Sequence, residues 1–322
     1  MQPQPPVATV FMGSERFSLP VLQALLADPS GTERRTRVVG VVTQPDRPAG
    51  RGQRMRSNQV KTAALEHGIP VLQPDRLRDP AAIEELLALQ PELIVVASYG
   101  QLVPRTLLEA PRHGCLNLHP SLLPRYRGPS PIVGPILEGD SETGTSLMLM
   151  VPKMDAGPII AQERVAIGSD ETAGELGARL ADLSAEMLLR ELPAWLDGGL
   201  SAVDQREDEA TYTSRVSKSD GEIEWQLPAD EIVRRVHAYN PWPTAFTSWD
   251  GRLLKVLRAY AEPGDAPPGE VLVAEDDSIR IGTGNGLLVP EELQLSGGRP
   301  LRAEQIIRGY PGLDGAHLRA VA

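Results

Sequence analysis

At 322 residues the chain is long enough for two domains, each with its own core. Its apolar content of 41% is that of an ordinary globular protein, and no stretch is apolar for long enough to span a membrane. A formal charge of −11 argues against a nucleic-acid partner unless a local basic patch supplies one. Cys115 is the sole cysteine, so an internal disulfide framework is excluded and a reducing, cytoplasmic setting is expected. With five scattered histidines there is no metal-ligand spacing, and the opening MQPQPPVATV lacks the basic and apolar regions of a signal peptide.

Val7 to Met12 is an apolar run ending at Gly13, and Leu19, Leu22, Leu25 and Leu26 follow at helical spacing. Strand, glycine turn and helix in that order open a doubly wound sheet. The turn, Gly13-Ser14-Glu15-Arg16-Phe17, is not a G-x-G-x-x-G and supports no dinucleotide site. Val38 to Val42 is the next strand. Thr43 to Lys61 holds Pro45, Pro48, Gly50 and Gly52 and reads as a loop. It carries Arg47, Arg51, Arg54, Arg56 and Lys61 against the single acid Asp46. Such a run is either a solvated face or a functional loop. Helices at Val60 to His67 and Pro80 to Leu89 flank a short strand at Pro70 to Leu72. Leu93 to Ala97 has no polar alternation, as a strand buried on both faces requires. It leads into Ser98-Tyr99-Gly100-Gln101-Leu102 and a short helix at Thr106 to Leu108.

Gly114 to Gly157 holds most of the recognisable chemistry. Asn117 and His119 are two apart in an apolar run, so in a strand they face the same way, and Pro120 stops further pairing. A polar pair where a strand ends is the usual place for a site in an open α/β sheet. A second apolar run, Ser146 to Val151, precedes Met154-Asp155-Ala156-Gly157. An Asn, a His and an Asp on two neighbouring strand ends can form one catalytic constellation, although a lone strand-end histidine can also be structural. Ser121-Leu122-Leu123-Pro124 reads as a turn, and the arginines after it, Arg125 and Arg127, face a ligand or solvent.

Ile159 to Ile167 is a further strand. Thr172-x-x-Glu175 is a capping box opening a helix with Leu176, Leu180, Leu183 and Met187 on one face, expected to end before Pro193. The division by composition is 1–200 for the first domain, 201–213 for an acidic linker and 214–322 for the second domain. After a helix at Ala229 to Ala238, short alternating runs lie at Ala245 to Trp249, Leu253 to Ala259, Glu270 to Ala274, Ser278 to Ile281 and Leu287 to Leu295. Gly282-Thr283-Gly284-Asn285-Gly286 reads as a hairpin turn, and the whole as a small open β-barrel of OB-like type. Acids outnumber bases here, so any nucleic-acid contact needs a local face such as Arg252, Lys255 and Arg258.

Asn117, His119, Ser121, Leu123 and Pro124, followed by Asp155 and Gly157, resemble the N-x-H-x-S-x-L-P and D-x-G signature of formyltransferases that use 10-formyltetrahydrofolate. PDRPAGRG within Thr43 to Lys61 resembles the inserted loop of methionyl-tRNA formyltransferases, and the resemblance runs over nearly the whole chain. It implies a Rossmann-like catalytic domain, a barrel that contacts tRNA, and transfer of formyl from 10-formyltetrahydrofolate to the α-amino group of methionyl initiator tRNA. It implies catalysis by Asn117, His119 and Asp155, with His119 relaying a proton directly or Asp155 doing so through water. It implies folate contacts from Ser121, Leu122, Leu123 and Pro124 and from Tyr99, Gly100 and Leu102. It implies tRNA contacts from Arg47, Arg51, Arg54, Arg56 and Lys61. A monomer that needs no metal is expected. The rivals are sugar or ribonucleotide formyltransferases of the same superfamily, and a non-catalytic binding module. The sequence departs from the common pattern at Ser14-Glu15-Arg16, at Pro120 after the histidine and at Pro158 after the D-x-G.

Overall fold

The computed structural model describes residues 5–27, 35–49, 54–56, 58–274 and 277–321, with backbone alone at 47–49 and 54–56. The first elements are β1 (Val7–Gly13), α1 (Ser18–Leu26), β2 (Thr36–Val42), β3 (Arg47–Ala49), β4 (Arg54–Arg56), α2 (Gln59–Glu66) and β5 (Val71–Leu72). Next come α3 (Pro80–Leu87), β6 (Leu93–Ala97), α4 (Arg105–Glu109), β7 (Cys115–His119), α5 (Val133–Glu138), β8 (Glu142–Leu149), β9 (Ile159–Ala166) and α6 (Ala173–Leu196). The remainder is α7 (Ala229–Ala238), β10 (Ala245–Trp249), β11 (Arg252–Glu262), β12 (Val271–Val273), β13 (Ile279–Gly282), β14 (Leu287–Leu295), β15 (Leu301–Arg302) and α8 (Ala303–Gly309). The chain divides into two compact units. Met1–Pro131, Thr143–Val165 and Gly177–Tyr212 form the first, and Ile132–Glu142, Ala166–Leu176 and Thr213–Ala322 the second. Among the described residues no helix is long and apolar enough to cross a membrane.

The first unit is built on a seven-stranded sheet in the order β5-β2-β1-β6-β7-β8-β9. From β5 to β7 every pairing is parallel, and β7 to β8 is antiparallel. This is the expected doubly wound, mostly parallel sheet. Every residue of β6 and β7 is buried, which accounts for the unbroken apolar run of β6, while β7 carries Asn117 and His119 as its buried polar residues. The β7–β8 register sets Asn117 opposite Met148 and His119 opposite Ser146, and the ladder stops there, at Pro120. At the ends of the central strands β1 and β6, Ser18 joins the two turns. Its hydroxyl donates to the Ala97 carbonyl at 2.6 Å and accepts from the Ser14 amide at 3.1 Å.

Two expectations are corrected here. Thr43 to Lys61 is not loop throughout, because β3 and β4 pair antiparallel within it and α2 begins at Gln59, capped by the Asn58 carboxamide. Helix α6 does open on its capping box, with Glu175 accepting from the Thr172 amide at 2.9 Å, but it runs on through Pro193 to Leu196. Proline costs a helix one N–H and strains the preceding turn. Here the loss falls in the last turn, which is held by Asp197 N–H to Pro193 O at 3.1 Å, Gly199 N–H to Ala194 O at 2.8 Å and the Trp195 indole N–H to His113 O at 2.9 Å.

The second unit is a barrel-like antiparallel sheet, β10-β11-β14-β13-β12, with β15 added on β14. β13 and β14 meet in register at Gly282 and Leu287, so the glycine-rich run is the expected hairpin. Helix α7 buries Ile232 and Val236 against this sheet's core, among them Trp225, Leu254, Val256, Ile281 and Leu293. Its acids come first and its bases last, paired Asp230–Arg234 and Glu231–Arg235 one turn apart, in the order that suits the helix dipole. The sheet's outer strands are β10 and β12. Residues Glu270↔His317 and Ser248↔Arg319 pair antiparallel, so a single closing segment occupies both edges. Deleting residues 316–321 therefore uncovers two edges and the buried Leu318. The truncated chain is expected to lose about 2–5 kcal/mol of stability and to self-associate, read by urea denaturation and light scattering. A truncated protein that stays monodisperse and equally stable would show that the segment does not protect the edges.

Candidate active site

In the sheet of the first unit the winding direction reverses between β1 and β6. The crevice beyond the carboxyl ends of such strands is where open α/β sheets bind ligands. The turns at those ends are knitted together by Ser14 and Gln44. The Ser14 hydroxyl accepts from the Gln44 amide at 2.9 Å, and the Gln44 side-chain N–H donates to the Tyr99 carbonyl at 3.0 Å. Tyr99 presents backbone to the crevice and sends its ring into the core with Val10, Ile94 and Val96. Burial pushes its phenol up to about 12, and the hydroxyl has no partner among the described residues. Gly100 takes a φ of +85°, and Leu102 beyond it is 73% exposed.

One strand further along, β7 delivers Asn117 and His119 to the same end of the sheet, both buried. The Asn117 carboxamide makes no hydrogen bond to any described residue. His119 Nε2 lies 3.0 Å from the Tyr126 carbonyl oxygen. A carbonyl only accepts, so Nε2 carries the proton and Nδ1 presents its lone pair. Nδ1 faces Asp155 Oδ1 at 3.7 Å, too long for a direct hydrogen bond. The other oxygen of Asp155 accepts from the Gly128 amide at 2.8 Å. The imidazole is thus oriented by Tyr126 and not by the carboxylate. The carboxylate stands where it would stabilise a proton arriving on Nδ1.

Asp155 holds a left-handed φ of +48°, and Gly157 two residues later brings the chain flush against β8. A Cβ on Gly157 would lie 1.7 Å from the Leu149 carbonyl oxygen, so no larger residue fits without moving the turn. Ser121 is fully buried. Its hydroxyl donates to the Arg125 carbonyl at 2.7 Å and its own carbonyl accepts from Ser146 at 2.6 Å. The Leu123 carbonyl accepts from Gln162 at 2.8 Å and that of Pro124 from the Thr211 amide at 3.2 Å. Ser121 and Leu123 are buried, Leu122 and Pro124 half-buried, and the stretch is held by Ser146, Gln162 and Thr211 as well as by its own turn.

The same chain compares closely with known proteins. The formyl transferase family model matches residues 8–192, and the model of the formyl transferase C-terminal domain matches residues 215–311. A protein of Roseiflexus castenholzii named methionyl-tRNA formyltransferase is 47% identical over 312 residues, covering 96% of this chain and 98% of its own. One of the same name from Myxococcus xanthus is 45% identical over 94% of each.

The chain belongs to the formyl transferase family.

Solved structures share the fold. An N-formyltransferase of Helicobacter canadensis, solved with folinic acid and dTDP-3-aminofucose, has a TM-score of 0.63 at 16% identity, over 88% of this chain and 98% of its own. HypX of Aquifex aeolicus, solved with tetrahydrofolic acid, has a TM-score of 0.62 at 18% identity over 94% of this chain, which spans 47% of that longer one.

The remaining candidates of this formyl transferase are distributed unevenly. Arg51 lies outside the described residues. Arg47 and Arg56 are register partners in the β3–β4 pair, and Arg54 pairs with Ala49. Lys61 is engaged within the protein, 2.6 Å from Asp46, and that bond, joined by one from Gln73, holds the Asp46 carboxyl below its usual range. Arg127 is not solvated, since it is only 1% exposed. Its guanidinium donates to Gln205 Oε1 at 3.0 Å and to Glu207 and the Tyr212 hydroxyl at 2.9 Å each, and lies over the Tyr212 ring. The acidic segment 201–212 is therefore bonded to the first unit, also through Val203 paired with Ile159 and Thr211 O accepting from the Arg127 amide. Gln162, Gln205, Glu207 and Tyr212 carried no signal in the sequence, being ordinary polar residues in polar company.

Lys153 and then Arg127 hold the Glu207 carboxyl down at about 2. In the unfolded chain it returns to about 4.3. The stabilisation it provides is complete above that unfolded value and is lost as pH falls towards 2. Between pH 5 and pH 2 the wild type should lose more stability than Glu207→Gln, read by urea denaturation at each pH. Parallel losses would mean that Glu207 is not paired in solution.

Proposed function

We infer that this formyl transferase moves the formyl group of 10-formyltetrahydrofolate to the α-amino group of methionyl initiator tRNA. The observation that carries the acceptor is near-full-length identity of 45–47% to proteins named methionyl-tRNA formyltransferase. The basic segment Thr43 to Lys61 in an otherwise acidic chain supports the same acceptor. The site suits the formyl donor, with an unbonded carboxamide at the strand end, backbone turns at Ser98 to Gly100, and exposed Leu102 as an apolar lip for a ring system.

The donor supplies an activated formyl group, and the acceptor is already a nucleophile. An α-amino group ionises at roughly 7.7–8.0 in a peptide and lower when its carboxyl is esterified, so a good share is neutral near pH 7. Asn117 aims an amide N–H at the formyl oxygen as charge develops there. Such a donor is typically worth about 10²–10³ in rate. His119 takes the proton of the attacking nitrogen on Nδ1, a general-base contribution of roughly 10²–10⁴, and as the adduct collapses the donor's formyl C–N bond breaks and that proton passes to the nitrogen of the departing tetrahydrofolate. Tyr126 fixes the ring through Nε2, and Asp155 stabilises the imidazolium so formed. This order favours His119 over Asp155 as the first proton acceptor.

Purified protein given 10-formyltetrahydrofolate should formylate methionyl initiator tRNA, followed by acid-stable incorporation of labelled formyl. Turnover of an amino-sugar nucleotide with none of the tRNA would overturn the acceptor. Contacts of Arg47, Arg51, Arg54, Arg56 and Lys61 with tRNA phosphates make a second expectation. Arg51→Gln with Arg54→Gln should raise KM for tRNA and leave that for the folate unchanged. The log–log salt dependence should flatten by about 0.7–0.9 per lost phosphate contact, and an unchanged slope would return the segment to a solvated face.

A further inference from the structure

Asp155 and His119 are separated by a gap that neither residue sets. His119 is fixed by the carbonyl of Tyr126, and Asp155 by the amide of Gly128, so both depend on the segment centred on Arg127. The side chain of Arg127 is clamped by Gln205, Glu207 and Tyr212. Gln205 also reaches the other half of the site. Its Nε2 donates to the carbonyls of Asp155 at 2.8 Å and Gly157 at 2.7 Å. The orientation of that amide follows from chemistry. Arginine can only donate, so Oε1 must face Arg127 and the N–H₂ must face the two carbonyls. Asp155 has a left-handed backbone, uncommon for a residue with a side chain, and both Gln205 bonds fall within its turn, on its own carbonyl and on that of Gly157.

We propose that Gln205, with Arg127, is a positioning residue for formyl transfer: it bridges the Tyr126–Gly128 segment to the Asp155–Gly157 turn and so holds Asp155 Oδ1 at its distance from His119 Nδ1. At 3.7 Å the pair is close enough for the carboxylate to stabilise a charged ring and too far for it to bind Nδ1 directly before the proton arrives. Loss of the Gln205 amide frees the turn to shift. A misplacement of about 1 Å costs roughly 100-fold in a positioned reaction.

The proposal rests on the role given to Asp155 above, and the variants separate the two. Gln205→Glu keeps an acceptor for Arg127 but sets a carboxylate oxygen against the two carbonyls in place of the N–H donors, so its melting point should fall by a few degrees while the chain still folds at the assay temperature. Gln205→Leu removes both. In the full chain, kcat for methionyl initiator tRNA should fall roughly 10- to 100-fold for Gln205→Glu, with both KM values within about twofold. Adding Gln205→Glu to Asp155→Asn should cost no more than about a further twofold, because both changes act through one carboxylate. A Gln205→Glu enzyme with wild-type kcat overturns the proposal, as does a multiplicative loss in the double variant. If Asp155→Asn alone keeps wild-type kcat, the role of Asp155 fails, whatever Gln205 does.

Discussion

A guanidinium with 1% of its surface exposed has to find its hydrogen-bond acceptors inside the protein, since leaving a buried charge unpaired costs several kcal/mol. Arg127 meets that demand by drawing in Gln205, Glu207 and Tyr212, residues far along the chain from it. Two things follow. The acidic stretch 201–212 is ordered along the first unit, and the Tyr126–Gly128 backbone is fixed on both sides of the arginine. From that backbone come the carbonyl that sets the tautomer of His119 and the amide that holds Asp155. The residues with no chemistry of their own decide where the reactive ones stand.

The division of labour between Asn117, His119 and Asp155 comes from which atoms are already engaged. Nε2 of the histidine is occupied, so only Nδ1 is left for proton transfer. The carboxylate spends one oxygen on Gly128 and keeps the other towards the ring. Asn117 has no hydrogen-bond partner among the described residues and stands between Leu116 and Leu118. An unbonded carboxamide at a strand end is free to turn its N–H to a ligand that supplies the acceptor.

Much of this was legible before any coordinates. Leu93 to Ala97 had to be a doubly covered strand because it has no polar alternation, and Thr172 with Glu175 had to start a helix because their side chains satisfy each other's orphan amides. Asn117 and His119 shared a face because strand periodicity requires it, and Gly282 to Gly286 had to turn. The failures have equally physical causes. Pro193 looked like a stop, yet the N–H it lacks is missed only in the last turn, where the Trp195 indole pins the helix to His113. Helix α5 was hidden by Gly134 and Pro135 and by its brevity, and β3 and β4 by the prolines and glycines around them. The solvent reading of Arg127 failed because sequence shows a charge without showing its burial. Gln205 was invisible because its importance lies in two carbonyls and one guanidinium that only the fold brings to it.

Helix α5 carries a last implication, for the order in which the chain assembles. It packs with α7 in the second unit, where the Arg234 Nε–H donates to Leu137 O at 3.1 Å across 97 residues of sequence. Closing so long a loop costs little extra free energy, about 0.6 kcal/mol for each doubling of length, but distant pairings slow folding. β1 and β2 can pair as soon as the crossover through α1 forms. The second unit must wait until residues 132–142 and the chain beyond 213 are both present. A fragment begun where the composition changes would carry the barrel strands and α7 but lack the helix that covers it.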